Sequence, residues 1–509
     1  MTMNDISSAM KISKVACFAL FSLLTLQGYT QDLTAKLVDS KTGQGIPYAT
    51  IRFDTNSGII TNEEGLFSLR WSAIPENQDS LYISCMGYEK LAISIQRISD
   101  SIIKISPKAI DLDEVFLFDR EMEVEDIIEQ VIERLPYNYN KQPVKQRMFF
   151  RQSSLNNLNK FEIDFKKSTI AELNEKFLDS VTGLIPRSSA YYTESLCDFY
   201  RTPEEHKLYI EKAAELYDKN NEGSMDALSE KMERIFRENV KPNSYLKIKS
   251  GIFGTKMELD SVFDAEDEEA KESEPVVEKE EKHYFLSNRK SAIHNIYASL
   301  FFNDESKLNF LEKPNRYNFS LKGYTSIDDA GVYIISFAPK RSEDFQGTIY
   351  VNIDDYAVVR LEYENVKSLR RIRLLGLSYE EQLYRGTTLF ARGSNGKYEL
   401  RFLEKIIGNQ MGVRRPLKVI EKNKYVKGRR KQNELSMELD ISNYNREKYE
   451  LVVFQNNLIS NEEFQGTVEN ESIKATYLSR YDPEFWKGYD IMEPNEAIRS
   501  FSASTEKNP

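Results

Sequence analysis

Histidine, cysteine and tryptophan are scarce in this 509-residue chain, which holds three, three and two of them. The shortage of histidine bears first on chemistry. His206, His283 and His294 stand apart, in no H-E-x-x-H or comparable spacing. A zinc peptidase would therefore lack the ligand set that catalytic zinc takes. No G-x-S-x-G, C-x-x-C, G-x-G-x-x-G or phosphate-cradling loop is present, so the usual nucleophile and nucleotide signatures are missing too. Cys17 falls in the leader, which leaves Cys85 and Cys197. Cys85 lies in a predicted core strand, where a small buried thiol packs well. A disulfide to Cys197 would have to bridge two domains, and packing is the expected role. No run beyond the first thirty residues reaches the about 18 apolar residues of a membrane helix, so none is expected once the leader is removed.

Acidic residues outnumber basic ones by 80 to 69, a formal net charge of -11. Such a surface repels phosphates and excludes nucleic acid as a partner. The basic clusters Arg370-Arg371-Ile372-Arg373 and Lys427-Gly428-Arg429-Arg430-Lys431 read as solvated strand ends or turns. Tyrosine (29) and phenylalanine (28) are abundant and suit β-structure with half-exposed faces. At the N-terminus, Lys11 and Lys14 precede the apolar stretch Val15 to Leu26. This is the pattern of a signal peptide over residues 1–30, cut between Thr30 and Gln31, with an uncleaved anchor as the alternative. Cys17 precedes the end of that stretch, so it is not a lipidation site. The mature chain is expected in the periplasm or at the outer-membrane periphery.

Between residues 31 and 119 short β-rich runs alternate with turn residues, as in a sandwich. The blocks V-D-x-x-T-G-x-G-I-P-Y-A (Val38–Ala49), T-N-E-E-G-x-F (Thr61–Phe67) and S-x-x-G-Y (Ser84–Tyr88) follow one another. They resemble the carboxypeptidase-regulatory-like (prealbumin-like) domain of secreted Bacteroidetes proteins. That resemblance implies a β-sandwich without catalytic residues. Gly65 and Gly87 are placed at sharp turns that need a positive φ. Asn62-Glu63-Glu64-Gly65 lacks the spacing of an EF-hand loop.

An amphipathic linker helix is expected within 120–145, with Val124, Ile127, Ile128, Val131, Ile132 and Leu135 in one stripe and Pro136 after its end. It would dock the sandwich onto the next domain. Residues 146–481 read as a larger antiparallel open sheet or half-barrel. Phe345–Ile353 and Ala357–Tyr363 alternate around Asp354-Asp355, a hairpin. The strands Tyr317–Leu321, Val332–Phe337, Gln382–Arg392, Tyr398–Glu404, Leu417–Tyr425 and Glu434–Ile441 extend the meander. The block Phe345–Glu362 is similar to the strand pair of lipoprotein-carrier (LolA/LolB-like) half-barrels. Two insertions are expected: helices over 203–240, with His206 exposed near a helix start, and a mobile acidic loop over 258–282. A tail, 482–509, ends polar.

The fold class is thus mainly β, a prealbumin-like sandwich joined by a helix to a half-barrel. The leading functional expectation is a non-catalytic envelope protein, needing no cofactor or metal. Its half-barrel serves as scaffold or as carrier of an apolar ligand on Phe345, Ile349, Val351, Ile353, Val359 and Leu361. The alternatives are an interaction subunit of an outer-membrane complex, binding protein or glycan, and a hydrolase whose convergent polar site the sequence does not display. The expected partner is an envelope protein or a lipid.

Overall fold

A computed structural model describes residues 33–52, 58–70, 74, 78–95, 102–108, 122–258, 284–327, 330–428 and 430–503. The leader, the segment Asp111–Phe118 and the acidic loop from 259 to 282 lie outside these residues.

The first unit contains seven strands: β1 (Leu33–Asp39), β2 (Thr50–Arg52), β3 (Gly58–Ile60), β4 (Leu66–Leu69), β5 (Ser80–Ser84), β6 (Leu91–Ser94) and β7 (Ile102–Ile105). They form two sheets, β4-β1-β7 and β3-β2-β5-β6. Turn chemistry fixes the corners. The Asp39 carboxylate accepts the Lys41 and Thr42 amides at 2.7 and 2.8 Å, and the Asn62 side chain accepts those of Glu64 and Leu66 at 2.9 Å. Gly65 and Gly87 have φ of +81° and +82°. Leu37, Ile51, Phe67, Leu81 and Ile83 fill the space between the sheets. One ladder departs from an all-antiparallel sandwich: β7 pairs with β1 in parallel. Cys85 and Cys197 are both free thiols.

Helix α1 (Val124–Asn138) buries Ile127, Ile128 and Val131. It runs through Pro136 instead of stopping before it, since one proline in a last turn removes a single N–H from the ladder. The second unit is built on a 14-stranded sheet. Its central order begins with β13 (Tyr317–Ile327), β14 (Ala330–Pro339), β15 (Phe345–Asn352) and β16 (Val358–Asn365), each paired with the next. It continues through β18 (Leu377–Arg392), β19 (Tyr398–Asn423) and β20 (Lys431–Leu458). The strands β8 (Val144–Ser168), β9 (Ser188–Arg201) and β10 (His206–Tyr217) join beside β20. The short β17 (Arg370–Leu374) adds to β18, and the hairpin β11 (Ser244–Ser250) and β12 (Phe253–Glu258) adds to β19. The far end is β21 (Thr476–Leu478), parallel to β10; among the described residues β13 and β21 do not pair, so the sheet is open there.

Several expected boundaries change. Tyr398–Glu404 and the expected Leu417–Tyr425 strand up to Asn423 belong to one 26-residue strand, and Glu434–Ile441 to a 28-residue strand. The stretch between is held extended by β20 along one edge and, up to Val413, by β18 along the other. The insertion over 203–240 is only half helical: its first part is β10, and α3 (Lys219–Asn239), the next helix after α2 (Glu175–Leu184), follows. A bulge between Ile210 and Lys212 shifts the face of Leu208 and Ile210 relative to Ala214 and Leu216, which disguises the two-residue period. His206 is therefore on a strand, half-buried, its ring stacked on His294 at 4.4 Å. Burial and the neighbouring His294 hold its pKa below the ordinary histidine range.

The two faces of the central sheet are occupied differently. One is covered by α1 and by α4 (Phe285–Ala298) with the loop after it. Phe310 stacks on Phe337 at 4.3 Å and Tyr297 on Phe199 at 5.3 Å. The other face carries the sandwich and the C-terminal segment, in a shared cluster that includes Ile51, Phe67, Phe149, Phe402, Val452 and Trp486.

Candidate interdomain site

Four charged residues stand side by side across the sheet. Glu404 on β19 is the register partner of Glu450 on β20, Glu450 of Arg151 on β8, and Arg151 of Glu194 on β9. Strand alternation turns this row toward the sandwich. Arg151 and Glu194 are 1 % and 0 % exposed and meet at 2.7 Å. The Arg151 guanidinium also donates to the Met492 and Glu493 carbonyls at 2.8 and 3.3 Å. The Trp486 indole N–H donates to the second Glu194 oxygen at 2.7 Å. The buried charges are thereby paired and hydrogen-bonded, the condition under which charge tolerates burial.

Lys448 lies two residues along β20, on the same face. Its ammonium reaches Glu63 of the sandwich at 2.7 Å, Glu404 at 3.0 Å and Glu450 at 3.1 Å. Burial works against its charge, but the three carboxylates outweigh that and raise its pKa above the ordinary lysine value. Glu63 is shifted the other way: burial opposes its charge, and Lys448 and Asn495 hold it below the usual carboxylate range. Tyr48, at φ +59°, donates its hydroxyl to Glu404 at 2.8 Å and stacks on Phe402 at 4.3 Å. A non-glycine residue in that backbone region persists only when its surroundings hold it there.

The tail completes the clamp. Asn495 donates to Glu63 at 2.6 Å, Arg499 to Glu64 at 2.5 Å, and Arg70 pairs with Asp490 at 2.5 Å. Glu63 thus holds Lys448 and Asn495, and Glu64 holds Arg499. Among the described residues no group of three or more His, Cys, Asp or Glu is placed to hold a metal ion. Between sandwich and sheet lies a cavity of about 410 Å³ bordered by Tyr48, Cys85, Arg360, Phe390 and Arg401. Burial pushes the Cys85 thiol up to about 11, which keeps it protonated and unreactive at neutral pH.

A family model described as CarboxypepD_reg-like domain matches residues 33–117. Residues 33–117 are a carboxypeptidase-regulatory-like domain. No curated protein matches the chain. Two solved structures overlap it loosely. One is the MucA/MucB complex of Pseudomonas aeruginosa, at 7 % identity and TM-score 0.16, covering 63 % of this chain and 93 % of that one. The other is MucB in complex with MucA(peri), at 5 % identity and TM-score 0.16, covering 67 % and 100 %. Overlaps at this level do not establish a common fold.

The six residues expected to line an apolar-ligand face come together packed against the protein's own side chains, and Val359 also borders the interdomain cavity. Phe345, Ile349, Val351, Ile353, Val359 and Leu361 are all buried, in one cluster with Ile293, Ile296 and Phe310. The cover comes from α1, α4 and the loop after α4, not from the insertion over 203–240. The row Glu404, Glu450, Arg151 and Glu194 had no counterpart in the sequence reading. The available signal was a lone charge inside an apolar run, as in Met148-Phe149-Phe150-Arg151 and Lys448-Tyr449-Glu450-Leu451-Val452-Val453-Phe454.

Proposed function

We propose that the protein is a non-catalytic, exported scaffold of the cell envelope, with the carboxypeptidase-regulatory-like domain mounted on the large sheet in a fixed orientation. The observation that carries this is the clamp. A shared apolar core, the Lys448 hub and the tail bind the domain to the sheet together. Buried charge here is spent on cohesion, since each member of the row faces a counter-charge or a fixed donor. The apolar face of the sheet is filled by the protein's own side chains, which favours a scaffold over a carrier.

Native mass spectrometry of the protein drawn from its envelope, without detergent exchange, tests this. The expected spectrum holds the bare mass or a stoichiometric protein partner. One retained lipid per chain would replace the scaffold with a carrier. One observation favours the interaction-subunit reading as the second choice. The sheet's other surface bears a concavity of about 660 Å³ bordered by Gln346, Thr348, Glu362, Glu364, Arg385 and Thr387. Such a lining suits a polar partner, peptide or glycan, better than an acyl chain.

A further inference from the structure

Two hairpin turns converge on one short stretch of β19. β18 occupies its edge up to Leu377 opposite Val413, and β11 occupies the same edge from Lys249 opposite Lys418. Between these pairings the β17–β18 turn and the β11–β12 turn approach each other. The Arg414 amide donates to the Gly376 carbonyl at 2.7 Å. The Arg415 guanidinium donates to the Ser250 carbonyl at 2.5 Å and lies over the Phe253 ring at 4.8 Å.

Both turns put large apolar residues where polar ones are usual. Ser250 and Phe253 are partners, so Gly251-Ile252 is a two-residue turn, and Ile252 is 83 % exposed. Leu374 and Leu377 are partners, so Leu375-Gly376 is another; Leu374 is 62 % and Leu375 50 % exposed. Leu375 and Gly376 have φ of +50° and +82°. A turn with both central residues left-handed strongly prefers Asn-Gly, and a leucine there is disfavoured both by its backbone and by water. Residues held against local preference point to a use outside the fold. Leu374, Leu377 and Val413 lie in register across three strands, so one sheet face carries the apolar surface beyond the turns.

The charge around it is basic, on a chain whose net charge is -11. Residues 370–377, Arg-Arg-Ile-Arg-Leu-Leu-Gly-Leu, contain three arginines and no acid. Arg414, Arg415, Lys247 and Lys249 flank the junction; Arg371 pairs with Glu380 and Arg414 lies 3.8 Å from Asp440, so Arg370, Arg373, Arg415, Lys247 and Lys249 carry most of the excess positive charge. Apolar tips with a basic collar match the layering of a bilayer surface, acyl chains beneath anionic headgroups. A second copy of the chain matches less well: edge pairing of β17 with itself would set arginines against arginines.

We propose that these two turns form a membrane-surface anchor, Ile252, Leu374 and Leu375 entering the acyl boundary while the arginines and lysines hold anionic headgroups. This adds a partner to the scaffold reading without depending on it, and either can fail while the other stands.

The test is co-sedimentation of the purified full chain with vesicles of phosphatidylglycerol and phosphatidylcholine, or of phosphatidylcholine alone. Binding to the anionic vesicles is expected, weakened by salt. The pair Ile252→Ser and Leu374→Ser should lower the partition coefficient by at least about tenfold, by the area no longer buried. Val468→Ser, at a residue 80 % exposed elsewhere, should bind as the parent does. Leu375→Asn separates anchoring from folding: it relaxes the turn, so the variant should melt at or above the parent while binding less. Equal binding by parent and variants would overturn the proposal. So would absence of vesicle binding together with a concentration-dependent dimer that Leu374→Ser abolishes, which would assign the patch to a second copy.

Discussion

Replacing Lys448 with methionine is expected to destabilise the intact chain by about 3–5 kcal/mol, the usual cost of removing one partner from a buried ion pair. The lysine side chain is 9 % exposed and serves Glu63, Glu404 and Glu450 at once. Without it Glu450, 4 % exposed, keeps among the described residues the longer contact to Arg151, at 3.9 Å. Chemical denaturation at neutral pH measures the loss. The double variant Lys448→Met with Glu404→Gln should recover part of it, because the two residues act as one unit. The pH dependence gives a second reading. The raised pKa of Lys448 contributes stability that is complete below about pH 10 and is lost only as pH rises through its folded value. The depressed pKa of Glu63 contributes stability present above about pH 4.5 and lost as pH falls through its own folded value. In the variant, acid relieves the unpaired carboxylates by protonating them. The gap between parent and variant should therefore narrow below about pH 5. A gap constant from pH 7 to pH 4 would mean that Lys448 acts by packing alone.

The second large effect is expected at Gly65. Its φ is +81°, and a Cβ there would stand 2.4 Å from the Leu37 carbonyl oxygen and 2.8 Å from the Ile46 amide nitrogen. Both are backbone atoms of the sandwich, so neither can rotate away. Gly65→Val should cost roughly 4 kcal/mol or more, combining left-handed strain with overpacking. Gly87 has nearly the same φ, +82°, but the nearest atom to its added Cβ is Thr325 Oγ1 at 3.9 Å. Gly87→Val should cost only the backbone strain, about 1–2 kcal/mol. Lys90→Ala, on an exposed residue, should stay within about 0.5 kcal/mol. Melting of the three variants by circular dichroism ranks them. Equal losses for the two valines would show that the close approach at Gly65 relaxes on substitution.

The sandwich was legible because its signals are local. Asp39 accepts amides two and three residues on, and Asn62 accepts them two and four residues on. A short window therefore contains both the turn residue and the group it satisfies. Period-two alternation likewise exposed the hairpin over Phe345–Tyr363 and chose its inward face. It said nothing of what lies against that face, because α4 is separated from β15 by some fifty residues. The charge row was illegible for a stronger version of the same reason. Arg151 and Glu450 are nearly three hundred residues apart in the chain and become neighbours only through the register between β8 and β20. The polar tail misled in its own way: Asn495 and Arg499 look solvated until Glu63 and Glu64 are placed opposite them.

β19 passes without interruption from the floor beneath the sandwich to the meeting point of the two turns. Phe402, under Tyr48, and Val413, beside Leu377, lie eleven residues apart on it, about 36 Å at strand rise. A β-ladder paired on both edges has no hinge, so this length behaves as a spacer of fixed reach. Whatever surface the turns rest on, the sandwich stands a set height above it, and a pull on one end arrives at the other without slack.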